Sequence, residues 1–198
     1  MSTSATDQQY WHGGFPGIAP GAMLLSPHDA AKSRIPISYT PREHPALGRV
    51  SRTDRVYLST SEEFARAYAF QTEITTTSGQ IAARGTLYRV QPLGAVEEDP
   101  DYAGHMVSWC SPRAIILDVV AVDVRMRVRD ATQAIGRYMT WDDGRPMYFE
   151  DGRLRLTWQM KSAGLTQGEL DQVVRPWTAV TVALERVQRH MLGSANQH

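Results

Sequence analysis

Three short segments constrain what this chain can fold into. They are Tyr10-Trp11-His12-Gly13-Gly14, Arg55-Val56-Tyr57-Leu58-Ser59-Thr60, and Gly85-Thr86-Leu87-Tyr88-Arg89-Val90 leading into Val96-Glu97-Glu98-Asp99-Pro100. Each joins strand-like apolar residues to a polar or aromatic group where the strand ends. Gln9 to His12 reads as a short strand closed by Gly13-Gly14, and Val56 to Leu58 as another. Leu87, Arg89 and Gln91 alternate with Tyr88 and Val90, the pattern of a half-buried strand. Ile115 to Val124 is a near-continuous β-branched run, which predicts a central strand buried on both faces.

Helix signals lie between and after these strands. Thr60-Ser61-Glu62-Glu63 fits a capping box in which Thr60 accepts from the Glu63 amide. The helix it opens runs to about Thr72, with Phe64, Ala67, Tyr68 and Gln71 on one face. Residues 14 to 54 hold Pro16, Pro20, Pro27, Pro36, Pro41 and Pro45, and read as a long, mostly irregular loop. A loop of that length either lines a binding site or is a surface excursion. Ser78 to Arg84 reads as a turn.

Beyond Arg125 the texture changes. Arg125, Arg127 and Arg129 alternate with Met126 and Val128, as on the wet face of a strand or at a nucleic-acid contact. Asp130 is placed to cap a helix through Tyr138. Turn signals at Asp142-Asp143-Gly144 and Glu150-Asp151-Gly152 frame a hairpin of Pro146–Phe149 and Leu154–Trp158. Thr166-Gln167-Gly168-Glu169 is a second capping-box pattern. Pro176 opens a last helix carrying Val180, Leu184, Val187 and Met191, which Gly193 ends. The fold class is therefore α+β. Residues 1–125 form one domain and 126–198 an α-rich extension.

Bulk properties narrow the function classes. A hydrophobic fraction of 42% against 21% charged residues belongs to ordinary globular chains. Zero formal net charge argues against a strongly attracting polyanion surface. Cys110 is the only cysteine, which excludes an intrachain disulfide and a multi-cysteine metal site. It reads as a buried apolar residue rather than a nucleophile. His28, His44, His190 and His198 show no metal-ligand spacing. Residues 1 to 9 lack the basic and apolar regions of a signal peptide, and no apolar run is long enough to span a bilayer. The cytoplasm is the default expectation.

The three segments, taken in order, resemble the rifampin ADP-ribosyltransferases, small members of the ADP-ribosyltransferase superfamily. The resemblance rests on Trp11-His12-Gly13, then Val56-Tyr57-Leu58-Ser59, then Tyr88-Arg89-Val90-Gln91-Pro92 and Glu98-Asp99-Pro100. It extends to Ser108 and the strand after Pro112 and covers roughly residues 9 to 125. It implies split β-sheets around an NAD cleft, with NAD as co-substrate. His12 would hold the ribose hydroxyls beside the nicotinamide, with the Gly13 backbone close to the amide and Ser59 in the same binding set. Tyr57 would stack on the nicotinamide ring. Asp99 would be the acid near the ribose and the incoming nucleophile, with Glu98 as the alternate.

These residue types suit the chemistry. Breaking a nicotinamide–ribose bond develops oxocarbenium-like charge, as in glycoside cleavage. A carboxylate stabilises that charge or takes a proton from the attacking hydroxyl. An aromatic face orients a flat leaving group, worth about 0.5–1.5 kcal/mol beyond area burial. Ser59-Thr60-Ser61 matches another branch of the fold, but His12 on the first strand favours helix capping as its purpose. RNA 2′-phosphotransferases share the His-Gly opening but favour histidine where Tyr57 stands. Residues 126 to 198 and the proline-rich loop depart from the family, so the acceptor stays open. A rifamycin-type small molecule is the expected acceptor, with a protein or nucleic acid as the alternative. A non-catalytic binding module on the same fold is the competing class.

Overall fold

The computed structural model describes residues 8–32, 52–75 and 79–195. The chain divides into two compact units, Met1–Met126 and Arg127–His198. The class is mixed α+β, with a predominantly antiparallel sheet.

Seven strands of the first unit form one sheet: β1 (Tyr10–Gly14), β2 (Met23–Leu25), β3 (Val56–Ser59), β6 (Thr86–Leu93), β7 (Glu97–Glu98), β8 (Ser108–Ser111) and β9 (Arg113–Ala121). Their spatial order is β2-β9-β6-β1-β3-β8-β7, and every pairing is antiparallel. Strands β4 (Glu73–Thr75) and β5 (Ile81–Arg84) form a separate hairpin, so Ile81–Arg84 is a strand and not the expected turn. Ser78 lies outside the described residues.

The sheet has a weak line through its middle. β1 pairs with β6 from Tyr10↔Val90 to Gly14↔Thr86, and β3 pairs with β8 from Val56↔Ser111 to Ser59↔Ser108. β1 and β3 share a single registered pair, Trp11↔Ser59. The strands thus form one ladder with a seam, where the sequence reading expected two sheets.

Helix α2 (Glu62–Gln71) lies on one face beside that seam. Its N-cap is Ser61, whose Oγ accepts from the Phe64 amide at 3.3 Å. The cap sits one residue later than the expected Thr60. Thr60 Oγ1 is drawn away because it donates to the Met106 carbonyl at 2.7 Å. Ala65 and Ala69 face the sheet at backbone distance. A Cβ on Gly13 would lie 1.9 Å from the Ala65 carbonyl oxygen, and one on Gly85 2.2 Å from that of Ala69. Ala65, Ala69, Leu87 and Val124 make the core on this side, with Trp11 and Phe70 packed against it. The opposite face carries Leu24, Val56, Leu58, Tyr88, Val90, Ala114 and Ile116. Of the expected face, Phe64 and Ala67 are buried and Gln71 is exposed, and Ala65 and Ala69 add the contact with the sheet.

Two other expectations are corrected in this unit. The described part of residues 14–54 contains β2 and a short helix, α1 (Pro27–Lys32). Pro27 occupies the first helical position, where its missing N–H costs nothing, and Ser26 Oγ accepts from the Asp29 amide at 3.2 Å. Strand β9 is buried at Ala114 and Ile116, but Leu117, Val119, Val120 and Val122 are 39–69% exposed. β2 flanks only Arg113–Ile115, and the rest of β9 pairs with β6 alone, with two register shifts.

The second unit holds α3 (Val128–Gly136), α4 (Trp158–Ser162), α5 (Gln167–Val173) and α6 (Val180–Ala195). Arg125–Arg129 is not a strand. Arg127 is the N-cap of α3 without a side-chain cap, and Asp130 sits in its first turn, paired with Arg127 at 2.7 Å. The predicted hairpin is reduced to one isolated bridge, Tyr148↔Leu154, and a second bridge, Thr140↔Pro146, closes the turn before it. Trp177 packs over Gly152, where a Cβ would meet its indole at 2.4 Å, and Trp158 opens α4. The second capping box is present, with Thr166 and Glu169 bonding reciprocally. α6 starts at Val180 and continues through Gly193, because helical packing at Val180, Ala183 and Val187 outweighs one glycine near its end.

Two glycine substitutions separate these roles. Gly13→Ala forces a methyl group into the α2 backbone and is expected to cost about 3 kcal/mol, the upper end of overpacking, in urea unfolding. Gly193→Ala meets nothing within 4 Å and is expected to stabilise by about 0.5–1 kcal/mol. Equal effects at the two positions would contradict the packing described.

Candidate functional site

His12 lies on β1 between Trp11 and Gly13, and strand alternation turns it away from α2. Its Nδ1 lies 2.9 Å from the Tyr57 carbonyl oxygen on β3. A carbonyl only accepts, so Nδ1 carries the proton and the neutral ring leaves Nε2 as an acceptor. This bond crosses the seam where the backbone ladder is thinnest. Nε2 leans over Gly14, where a Cβ would come within 2.4 Å of it. A Cβ at Gly14 would displace the imidazole, whereas one at Gly13 would meet the backbone of α2. The Tyr88 ring stacks with it, centroid to centroid 6.4 Å. Burial lowers the His12 pKa from 6.5, with the Tyr57 bond opposing.

Tyr57 is half-buried on β3. Its hydroxyl accepts from the Arg52 amide at 2.7 Å, which leaves the O–H free as a donor. Burial pushes the phenol up to about 12; the Arg52 bond opposes this, and the nearby Asp99 charge adds to it. The phenol is neutral at any physiological pH. Register sets Tyr57, Cys110 and Glu97 in one row across β3, β8 and β7, with Ser59 and Ser108 in another. Residues in register share a face, so Tyr57, Ser59, Ser108 and Cys110 line one side of these strands. Burial raises the Cys110 thiol pKa, which keeps it protonated and unreactive.

The three consecutive acids do three different things. Glu97 pairs with Arg52 at 3.3 Å and Arg55 at 3.6 Å. Glu98 Oε1 accepts from the Gly104 and Met106 amides at 2.8 and 3.0 Å, holding the following loop closed. Asp99 turns inward and is 4% exposed. Its Oδ1 accepts from the Asp101 amide at 3.0 Å and its Oδ2 from the Ser108 hydroxyl at 2.8 Å. It caps the 3-10 turn Pro100–Tyr102, and Tyr102 is anchored on α2 through the Tyr68 hydroxyl at 2.7 Å and the Phe64 ring at 5.1 Å. Ser59 is buried, its hydroxyl donating to the Val107 carbonyl at 2.7 Å and accepting from the Ser61 amide at 2.9 Å.

The predicted residues thus divide. The His12 ring is joined to the main chain of Tyr57, while the Trp11↔Ser59 pair sets the Tyr57 side chain on the α2 face, opposite to His12; Asp99 is near enough to act on the Tyr57 phenol. Gly13 serves helix packing, while Ser59 and Glu98 bond to backbone. Sequence reasoning passed over Gly14, although its place two residues after His12 on a strand puts both on one face. It also passed over Thr86, opposite Gly14 and 1% exposed, whose Oγ1 has no partner among the described residues. The Arg52 contact had no local signal. Among the described residues, no group of three or more His, Cys, Asp or Glu is arranged to hold a metal ion, and no helix is long and apolar enough to cross a membrane. No family model and no curated protein matches this chain.

Two outcomes follow from burial. Below pH 6.5 the unfolded chain takes up a proton that folded His12 resists, so stability falls as pH drops from 6.5 toward the lowered folded value. Urea midpoints at pH 7.5 and 5.5 should show a smaller loss in His12→Asn than in wild type; an equal loss contradicts the neutral ring. Thr86→Val removes an uncompensated buried hydroxyl and is expected to leave stability unchanged or raise it by about 1 kcal/mol. A loss above about 1 kcal/mol would show that the hydroxyl is satisfied.

Proposed function

We propose that the first unit binds NAD with its nicotinamide riboside end at the β1–β3 seam and transfers ADP-ribose to an acceptor nucleophile, releasing nicotinamide. The reading is carried by the His12 bond to the Tyr57 main-chain carbonyl, which holds the imidazole across the seam and commits Nε2 to accepting. A group that accepts at Nε2 suits a ribose hydroxyl, a donor at neutral pH. Tyr57 offers a half-buried aromatic face for the nicotinamide ring. Asp99, held by Ser108, offers a negative charge for the oxocarbenium-like transition state. In the reaction the C1′–nitrogen bond breaks, nicotinamide leaves as a neutral molecule, the acceptor oxygen bonds to C1′, and the acceptor proton passes to a base. The acceptor favoured by the resemblance is a small rifamycin-type hydroxyl compound. A macromolecular acceptor uses the same donor, and transfer of an RNA 2′-phosphate to NAD uses the same co-substrate as the phosphate acceptor.

A second reading, a binding module without catalysis, draws on one observation. Both Asp99 oxygens are already hydrogen-bonded inside a buried turn. A carboxylate has about four acceptor sites, so two bonds leave capacity for a third partner.

The test incubates the full chain with NAD and rifampicin, then with nucleic acid and cell lysate, and follows nicotinamide release and product mass. A product heavier by one ADP-ribose is expected. His12→Ala and Asp99→Asn should each lower its formation by about 10²-fold or more. Absence of nicotinamide release with every acceptor supports the binding module. Unchanged rates in both variants exclude the assigned roles.

A further inference from the structure

We propose that Glu97 is a positioning residue for Tyr57, acting through Arg52. The Tyr57 hydroxyl is held by a main-chain amide, that of Arg52, at 2.7 Å. Arg52 belongs to a turn just before β3, so the tip of the ring is oriented by whatever orients that turn. The Arg52 guanidinium is gripped from two sides. Its Nε and Nη2 donate to the two Asp54 carboxylate oxygens at 3.2 and 3.0 Å, and its Nη1 donates to Glu97 Oε2 at 3.3 Å. Asp54 is local, on the same turn. Glu97 is not: it stands on β7, two strands away from β3, in the same row as Tyr57 with Cys110 between them.

Arg55 repeats the arrangement. Its Nη1 donates to Asp54 Oδ2 at 2.9 Å while its Nη2 lies 3.6 Å from Glu97 Oε1. One carboxylate on the far strand therefore holds both arginines of the turn. A second tether on the turn is the His28 amide, which donates to the Thr53 carbonyl at 2.8 Å. It holds the turn's middle but not its approach to the Tyr57 hydroxyl.

The physical consequence concerns geometry more than stability. Ion pairs between side chains exposed by 39% and 48% add little to the folding free energy. They do select which of the turn's arrangements is populated, and the amide contact to Tyr57 exists in that one. With the Arg52 amide on the phenol oxygen, the O–H proton is directed to another acceptor and the ring is held at one tilt. This account rests on the reading of Tyr57 as the nicotinamide platform for its functional meaning, but the coupling from Glu97 to Tyr57 stands apart from it.

The first arm of the test needs no ligand. The full chain is labelled with carbon-13 at tyrosine Cζ, and the Tyr57 resonance is assigned by its loss in Tyr57→Phe. Glu97→Gln should shift that resonance, and Glu97→Asp should return it toward the wild-type position. The thermal midpoint should move by less than about 2 °C. An unshifted Tyr57 resonance in Glu97→Gln overturns the proposal.

The second arm titrates NAD. Glu97→Gln should weaken its binding about two- to tenfold, and the double variant Glu97→Gln/Tyr57→Phe should bind no more weakly than Tyr57→Phe alone. Fully additive losses would show that Glu97 acts independently of the Tyr57 hydroxyl and overturn its positioning role. If wild type binds no NAD, the NAD reading falls while the resonance shift still decides the coupling.

Discussion

Helix α2 lies so close to the sheet that Gly13 and Gly85 have room only for hydrogen beneath it. The rest of the first unit is arranged around that contact. Ala65 and Ala69 seat the helix on β1, and this sets the height and direction of His12 one residue earlier. The helix's other side, through Phe64 and Tyr68, grips Tyr102 and so anchors the turn that Asp99 caps. Two residues more than eighty positions apart in the chain are thereby referred to one ten-residue helix. At such distances the interior tolerates little rearrangement, since packing is close to crystalline and backbone cannot yield to a methyl group.

The second organising element is the seam. A sheet that continues through a single registered pair has few backbone hydrogen bonds there, and side chains take over the joining. His12 does so by donating to the Tyr57 carbonyl. The same bond fixes its tautomer, and burial keeps the ring neutral, so one interaction is both structural and chemical. Such a place in a sheet, with open strand backbone and a polar side chain of defined donor–acceptor sense, suits recognition of a ligand hydroxyl. The NAD reading proposed for the first unit uses His12 in that sense.

Much of this was legible in the sequence. The strands around His12, Tyr57 and Tyr88 follow from alternation, and Thr166–Glu169 from its capping pattern. What was misread depended on contacts that local pattern does not carry. Thr60 looks like an N-cap until Met106 takes its hydroxyl. Gly13 looks like room for a ligand until Ala65 fills the space. Pro27 looks like a helix breaker, yet at a first helical position it is compatible with a helix. The β-branched run after Ile115 looks doubly buried because periodicity cannot report where a neighbouring strand stops. The triplet Glu97-Glu98-Asp99 is the clearest case: three adjacent carboxylates have three separate partners, and only strand register and loop closure distinguish them.

The central claim is that a neutral His12, protonated at Nδ1, receives a ribose hydroxyl at Nε2. The most direct measurement is nitrogen-15 NMR of the His12 imidazole, assigned by His12→Asn, at pH 7.5 with and without NAD. The account predicts a neutral ring with the proton on Nδ1 in both states and a shift of the unprotonated Nε2 resonance when NAD is added. A ring protonated at Nε2, or an Nε2 resonance that saturating NAD leaves unmoved, would contradict it.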